Sequence, residues 1–263
     1  MKILSSSIFC FFISLQLANA QAPKGTLYAS WGYNKEWYTR SDIHIKQTNG
    51  NAYYFKDVVG HDKPGWNEKL LQKELTIPQY NARMGYFIKK GMAIEINFDH
   101  TKYQVLDQLL HLKGRYNNRQ VDTFFQRNND NLYYQLNNGA NFLLINWVND
   151  FPIQGLNNKN YSLSLVLKTG AGIVIPHVEN KIMYEANVPH FQIGGVDLGV
   201  ETALKATVRE HFFIEFSQKA VVAQYWGLRI SNGYARQLFG CYEVILSVGA
   251  QLNVHKKTRT IKI

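Results

Sequence analysis

The sequence predicts an all-β fold, an eight-stranded antiparallel up-and-down transmembrane β-barrel with long loops at one end. Three observations lead there. An export-type leader precedes a chain that has no apolar run of helix-spanning length. Long segments alternate apolar and polar residues with period 2. The connections between those segments alternate short and long.

The leader comes first in the chain. Lys2 supplies a positive start, Ile8 to Leu17 a short apolar stretch, and Ala18-Asn19-Ala20 a small-residue cleavage site. The expected division is a signal peptide over 1–20 and a barrel domain over 21–263, ending in a basic tail at 255–263. The apolar stretch is too short for a membrane helix, which needs about 20 residues. Later apolar runs such as Phe142 to Ile145 are strand-sized. A chain of this kind can cross a bilayer only as a closed barrel.

Alternation identifies the strands. Leu27, Ala29, Trp31 and Tyr33 oppose Tyr28, Ser30, Gly32 and Asn34. Tyr80, Ala82, Met84, Tyr86 and Ile88 oppose Asn81, Arg83 and Gly85. Ile94, Ile96 and Phe98 oppose Glu95, Asn97 and Asp99. The segment Asn141 to Val148 is apolar on both faces, so its lipid side stays open. Tyr161, Leu163, Leu165 and Leu167 oppose Ser162, Ser164, Val166 and Lys168. Val196, Leu198, Val200 and Leu204 oppose Asp197, Gly199, Glu201 and Lys205. Phe212, Ile214 and Phe216 oppose Phe213, Glu215 and Ser217. Tyr242, Val244, Leu246, Val248 and Leu252 oppose Glu243, Ser247 and Gln251, with Ile245 as an apolar exception. The expected strands lie near 25–34, 78–89, 92–103, 139–149, 161–174, 193–206, 210–222 and 240–254.

Tight or medium connections follow the second, fourth and sixth strands, and long ones fill 35–77, 104–138, 175–192 and 223–239. Short periplasmic turns and long external loops put both termini in the periplasm. Within the loops, Asp42 to Gln47 and Ala52 to Val58 read as a hairpin around Thr48-Asn49-Gly50-Asn51. Trp66 to Leu75 reads as a short amphipathic helix. Leu110 to Tyr116 and Leu132 to Gln135 read as extensions of the third and fourth strands.

Alternation alone does not orient a barrel, because a soluble barrel or sandwich alternates too. The charges decide: Asp197, Glu201 and Lys205 share a face with Gly199, and Lys168 shares one with Gly170 and Gly172. Charges beside small residues suit a crowded polar lumen, which leaves the apolar rows to lipid. Aromatics make up 14% of the chain, and tyrosine is the commonest of them, which suits interfacial girdles.

The pattern resembles the small outer-membrane β-barrels of the OmpA and OmpX type. The stretches Thr26 to Asn34, Ile77 to Tyr86 and Ile94 to His100, with the Gly-containing segments near 170 and 199, are similar to uncharacterised barrels of Bacteroidetes-type bacteria. The resemblance implies residence in the outer membrane, with outer-membrane lipids, lipopolysaccharide and the barrel assembly machinery as partners. The chain departs from the pattern after Val254, where His255 to Ile263 replace a terminal aromatic assembly signal.

The expected inward set is Arg83, Glu95, Asn97, Asp99, Lys168, Asp197, Glu201, Lys205, Glu215, Glu243 and Gln251. Acids and bases in a narrow lumen can pair with one another, which favours a structural network over a conduit. The reading is therefore a structural or surface-interaction role without catalysis, cofactor or metal. The alternatives are a lipid A- or phospholipid-modifying barrel enzyme and a narrow solute channel. An enzyme would draw on His100, His111, His177 or His190 with a nucleophile and an acid. His177, Glu179 and His190 are a poor metal set, since zinc needs three or four ligands in place. No phosphate loop, dinucleotide fingerprint or nucleophile elbow occurs. One mature cysteine, Cys241, forms no internal disulfide and reads as a small apolar filler. The net charge of +10 suits anionic partners such as outer-leaflet phosphates. The basic residues are scattered and the chain is exported, which argues against nucleic acid. Long loops rich in Tyr, Asn, Trp and Lys suit an extracellular ligand.

Overall fold

The computed structural model describes residues 21–62, 79–136, 139–153, 155–157 and 160–254. The leader, the expected helix at Trp66 to Leu75 and the tail at 255–263 lie outside the described residues.

Eight strands form a closed ring. They are β1 (Thr26–Tyr38), β2 (Tyr80–Lys89), β3 (Met92–His100), β4 (Phe142–Pro152), β5 (Tyr161–Val174), β6 (Gly195–Val208), β7 (Phe212–Ile230) and β8 (Gly233–Asn253). Each pairs antiparallel with its chain neighbour, and β8 returns to β1 over thirteen register pairs from Thr26↔Asn253 to Tyr38↔Cys241. Closure leaves no sheet edge in the ring, which a bilayer requires.

The side chains are inside-out for a water-soluble barrel. Met84, Ile96, Ile145, Leu198, Phe212, Leu246 and Leu252 are exposed on the outer face. Arg83, Glu95, Asp99, Lys168, Glu201 and Glu243 are buried in the centre. Apolar residues facing out and charges facing in are stable only where hydrocarbon surrounds the wall. The segment that the alternation left open is oriented by its register: Phe142, Leu144, Asn146, Val148 and Asp150 face in, and Ile145 and Trp147 face lipid.

The short-turn end is closed by the chain's own start. The Gln21 amide donates to the Asp150 carbonyl at 2.9 Å, and Gly91 N donates to the Ala22 carbonyl at 3.1 Å. Gly91 takes a left-handed φ of 71° in the β2–β3 turn, and a Cβ there would meet the Gln21 side chain at 2.6 Å. A small apolar cluster of Tyr28, Phe87, Val148, Val166 and Phe213 lies just inside.

The long-loop end differs from the sequence reading in two respects. The stretch 223–239 is not a loop. β7 runs for 19 residues and β8 for 21, joined by a tight turn between Ile230 and Gly233. The extension was hidden because both faces turn apolar there, as in Val221-Val222-Ala223, and because a bulge between Tyr225 and Leu228 breaks the period of 2. Nor do Leu110 to Tyr116 and Leu132 to Gln135 prolong the third and fourth strands. The strand Leu109–Tyr116 pairs with Ala52–Val58 and Arg119–Gln126. The strand Leu132–Leu136 pairs with Tyr103–Val105 and His177–Ile182.

These loop strands build a cap. The hairpin of Ser41–Gln47 and Ala52–Val58 forms as expected and adds to the upper part of β8, through pairs such as Ile45↔Ala235. It carries Leu109–Tyr116 and Arg119–Gln126 beyond it, so a broad sheet grows from the barrel wall. A second sheet contains Gly60–His61, Tyr103–Val105, Leu132–Leu136, His177–Ile182 and Glu185–Ala186. Between them lies one apolar core, in which Ile43, Phe55, Leu110, Leu132 and Tyr134 pack with Phe142, Leu144, Val221, Tyr225 and Phe239 of the barrel wall.

Candidate functional site

The lumen holds the charges in three levels. At the level of the membrane middle, Arg83 on β2 binds two carboxylates. Its Nη1 lies 2.8 Å from Glu215 and 2.9 Å from Glu201. Lys168 on β5 reaches Glu215 at 2.7 Å and both Glu95 and Glu201 at 3.3 Å. Glu95 also accepts hydrogen bonds from the Tyr28 hydroxyl at 2.8 Å and the Asn146 amide at 2.9 Å. Two cations and three carboxylates thus interlock, with neutral donors added at Glu95. Backbone register brings these residues together: Lys168↔Glu201 and Lys205↔Glu215 are directly opposed on neighbouring strands.

Towards the short turns, Lys205 is the only cation among the described residues at its level. It lies 3.4 Å from Asp150 and 3.2 Å from Gln251. Its ammonium also sits 4.7 Å from the Phe213 ring centroid. The aromatic face holds a cation that has few carboxylate partners.

Towards the loops, Lys219 on β7 bonds Asn97 at 2.8 Å and pairs with Asp99. Asn34 bridges Glu36 at 2.7 Å and Glu243 at 3.1 Å. Gln79 bonds Glu36 and reaches Asp62 at 2.6 Å, and Asp62 pairs with Lys35. Asp197 is buried at this level, and neither of its carboxylate oxygens has a hydrogen-bond partner among the described residues. The buried charges of the described barrel strands are Arg83, Lys168, Lys205 and Lys219 against Glu36, Glu95, Asp99, Asp150, Asp197, Glu201, Glu215 and Glu243. The acidic excess lies mainly at the Lys219 level.

The structure therefore places Arg83, Glu95, Lys168, Glu201 and Glu215 in one cluster. It places Asn97 and Asp99 with Lys219, Lys205 with Gln251, and Asp197 and Glu243 at the loop-side level. Sequence reasoning missed Lys219, Glu36, Asn146 and Asp150. Lys219 lies inside the expected strand at 210–222 with the inward parity of Ser217, and Glu36 continues the parity of Asn34 two residues past the expected end of the first strand. Asn146 lies on the segment whose faces the alternation leaves open, and Asp150 lies one residue past the expected strand at 139–149, in the medium connection that follows it.

Above the Lys219 level the lumen turns apolar. Phe142, Leu144, Val221, Tyr225 and Phe239 fill it and continue into the cap. The Tyr103 hydroxyl, accepting from Gln237 at 2.9 Å, is one of the few polar groups in that core. Burial pushes its pKa up to about 12, against the lowering effect of that hydrogen bond.

The histidines considered for chemistry are dispersed. His100 Nδ1 bonds Asn141 at 2.8 Å and its ring stacks on Tyr80. His111 lies 2.5 Å from Asp122 and stacks on Phe124 at 4.0 Å. His177 packs on Phe191, and His190 Nδ1 bonds the Val188 carbonyl. Glu179 accepts from Tyr133. Among the described residues no three His, Cys, Asp or Glu side chains are grouped to hold a metal ion. Cys241 is buried in the apolar core.

No family model matches the chain, and no curated protein matches it. Solved structures similar in fold include Neisserial surface protein A, at 9% identity and a TM-score of 0.41, covering 86% of this chain and 97% of that one. They also include the outer-membrane protein OprG of Pseudomonas aeruginosa, at 9% identity and 0.38, covering 89% and 98%. The outer-membrane protease OmpT of Escherichia coli matches at 7% identity and 0.38, covering 89% and 99%. The architecture is that of a small outer-membrane β-barrel. The closed ring and the inverted polarity of this chain establish it, and matches this distant transfer no residue role.

Proposed function

We propose that the protein is a non-conducting, non-catalytic outer-membrane protein whose barrel anchors a rigid β cap for interactions at the cell surface. Its termini are periplasmic, and the barrel assembly machinery inserts it. The supporting observation is the single apolar core that runs from the upper lumen into the cap. A solute path would have to cross Phe142, Tyr225 and Phe239 above and the interlocked Arg83 and Lys168 below. The cap and the barrel wall share that core, so the cap is held as an extension of the wall and not as a set of separate loops.

Two measurements test this. Purified protein in planar bilayers is expected to show no conductance steps, and regular single-channel steps would refute the sealed reading. An epitope inserted between Ser231 and Asn232, at the tip of β7 and β8, is expected to be reachable by antibody on intact cells. Reactivity only after the outer membrane is broken would reverse the orientation. The lipid-modifying alternative is tested by lipid A profiling of His100→Ala, His111→Ala, His177→Ala and His190→Ala strains, each expected to match the parent.

A further inference from the structure

The outer face of the cap sheet carries cations and aromatic rings in register. One cross-strand row runs Arg236↔His44↔Tyr54↔Lys113, and the next runs Tyr234↔Lys46↔Ala52↔Arg115. His44 stacks on Tyr54 with ring centroids 5.1 Å apart, and the Arg236 guanidinium lies 5.1 Å from the Tyr234 ring centroid. Between these side chains is an open groove of about 840 Å³.

Of the acids near this face, Asp122 holds Lys113 and His111, and Asp57 lies 3.8 Å from Lys56. Asp42 also lines the groove and accepts the Asp57 amide at 2.8 Å, so the groove carries Lys46 and Arg236 against one carboxylate. No carboxylate among the described residues pairs with Lys46 or Arg236. Both are exposed. The Arg236 Nε donates to the Trp226 carbonyl at 3.1 Å, which fixes the guanidinium on the groove and leaves its charge without a carboxylate. Two cations without carboxylate partners beside flat rings on a wet surface suit an anion carried on a sugar, because phosphate pairs with the cations and sugar faces lie on the rings.

The height of the groove narrows the ligand further. Along β8 the outward row is Leu252, Val248, Leu246, Tyr242, Leu238, Arg236 and Tyr234. From Leu252 to Tyr242 a tilted strand climbs about 25 Å, the height of a barrel's apolar band. By the same rise Arg236 stands about 15 Å above Tyr242. A phospholipid headgroup layer is only about 5–8 Å deep and ends below it. A lipid whose headgroup is extended by sugars reaches it, passing the exposed Leu238 and Trp226 that lie between belt and groove.

We propose that this groove binds the phosphorylated saccharide of an outer-leaflet glycolipid, with Lys46 and Arg236 on phosphate and Tyr54 and Tyr234 against sugar rings. The assignment to the outer leaflet rests on the orientation proposed above, whereas the groove's chemistry does not.

The test uses the full protein in phosphatidylcholine nanodiscs and rough lipopolysaccharide carrying core phosphates as the probe. The double variant Lys46→Gln/Arg236→Gln is expected to bind at least tenfold more weakly than wild type. Lys46→Arg/Arg236→Lys is expected to stay within threefold, and Lys181→Gln, on the other sheet of the cap, to bind as wild type does. Dephosphorylated lipopolysaccharide is expected to bind wild type at least tenfold more weakly. Heat-modifiable migration on a gel checks that each variant is folded. The proposal is overturned if the glutamine pair binds within twofold of wild type, if Lys181→Gln loses as much, or if removing the phosphates changes nothing. Inorganic phosphate bound as tightly as the glycolipid would replace the lipid by a free anion. Binding that survives in nanodiscs while the Ser231 epitope is hidden on intact cells would remove the outer-leaflet source and leave the groove standing.

Discussion

Lys168→Met tests whether the lumen is held by charge pairing. The ammonium lies 2.7 Å from Glu215 and 3.3 Å from both Glu95 and Glu201, and all four side chains are nearly or fully buried. At an effective dielectric of about 20, each pair at about 3 Å is worth roughly 5 kcal/mol gross. Desolvation of the ions offsets most of that sum. Methionine keeps the volume and leaves three carboxylates against the single cation Arg83. Breaking a buried pair of this kind costs about 3–5 kcal/mol. The assay is urea unfolding in lipid vesicles, followed by tryptophan fluorescence and by the heat-modifiable gel shift. Lys168→Met/Glu215→Gln removes one excess acid and is expected to recover at least 1 kcal/mol of the loss, on the order of one hydrogen-bonded charge. A single-variant loss below about 1 kcal/mol, which is the range of exposed ion pairs, would refute the reasoning. So would a double variant no more stable than the single.

Further outcomes follow from other parts of the fold. Gly85→Ala sets a Cβ about 2.2 Å from the Tyr28 ring, which Phe87 and Phe213 confine and Glu95 holds by its hydroxyl. The expected loss is about 1–3 kcal/mol, and Tyr28→Ala in the same chain should make the extra Cβ nearly neutral. Where the upper barrel wall meets the cap, Tyr225→Ala is expected to cost about 3–5 kcal/mol and to speed proteolysis of the cap while the barrel band stays resistant. Asp122 is held below the usual carboxylate range, first by its hydrogen bond from His111 and then by that from Lys113. A lowered carboxylate stabilises above its unfolded pKa, and that contribution is lost as pH falls through the lowered value. Acid should therefore loosen the 109–126 hairpin, read by protease nicking, and Asp122→Asn should make nicking insensitive to pH over that window.

The ring was legible because the bilayer imposes one rule on all eight strands. Wherever the outward row had to be apolar and the inward row was charged, as at Asp197, Glu201 and Lys205, period and phase were both readable from the chain. Legibility failed where that contrast vanished. Asn141 to Val148 is apolar on both faces because Phe142 and Leu144 enter the apolar core while Ile145 and Trp147 meet lipid. Asn146, which bonds Glu95, was lost with it. The cap was legible only in pieces. The 41–58 hairpin announces itself by its turn, but its partner at 109–116 is some fifty residues on, and no local pattern encodes that pairing.

The stretch 221–239 shows why these failures belong together. On β7 the inward residues pass from Glu215 and Lys219 to Val221, Ala223 and Tyr225, while the outward ones pass from Phe212 and Phe216 to Gln224. On β8 the outward row passes from Leu246 to Arg236 as the inward row passes from Glu243 to Phe239 and Ala235. Each strand exchanges the polarity of its two faces where it leaves the membrane. Below that point hydrocarbon is outside, so charges are tolerable only where they can pair within. Above it water is outside, so the interior can follow the rule of a soluble sandwich. A continuous ribbon serving two solvents has a zone in which both faces are apolar, and there period-2 reading has no contrast to follow. The same exchange fills the upper lumen with apolar side chains, because those that make the upper wall soluble-like are the ones that meet in its centre. The non-conducting role proposed above rests on this exchange, because a water-filled path would need polar side chains inward at the positions of Val221 and Phe239.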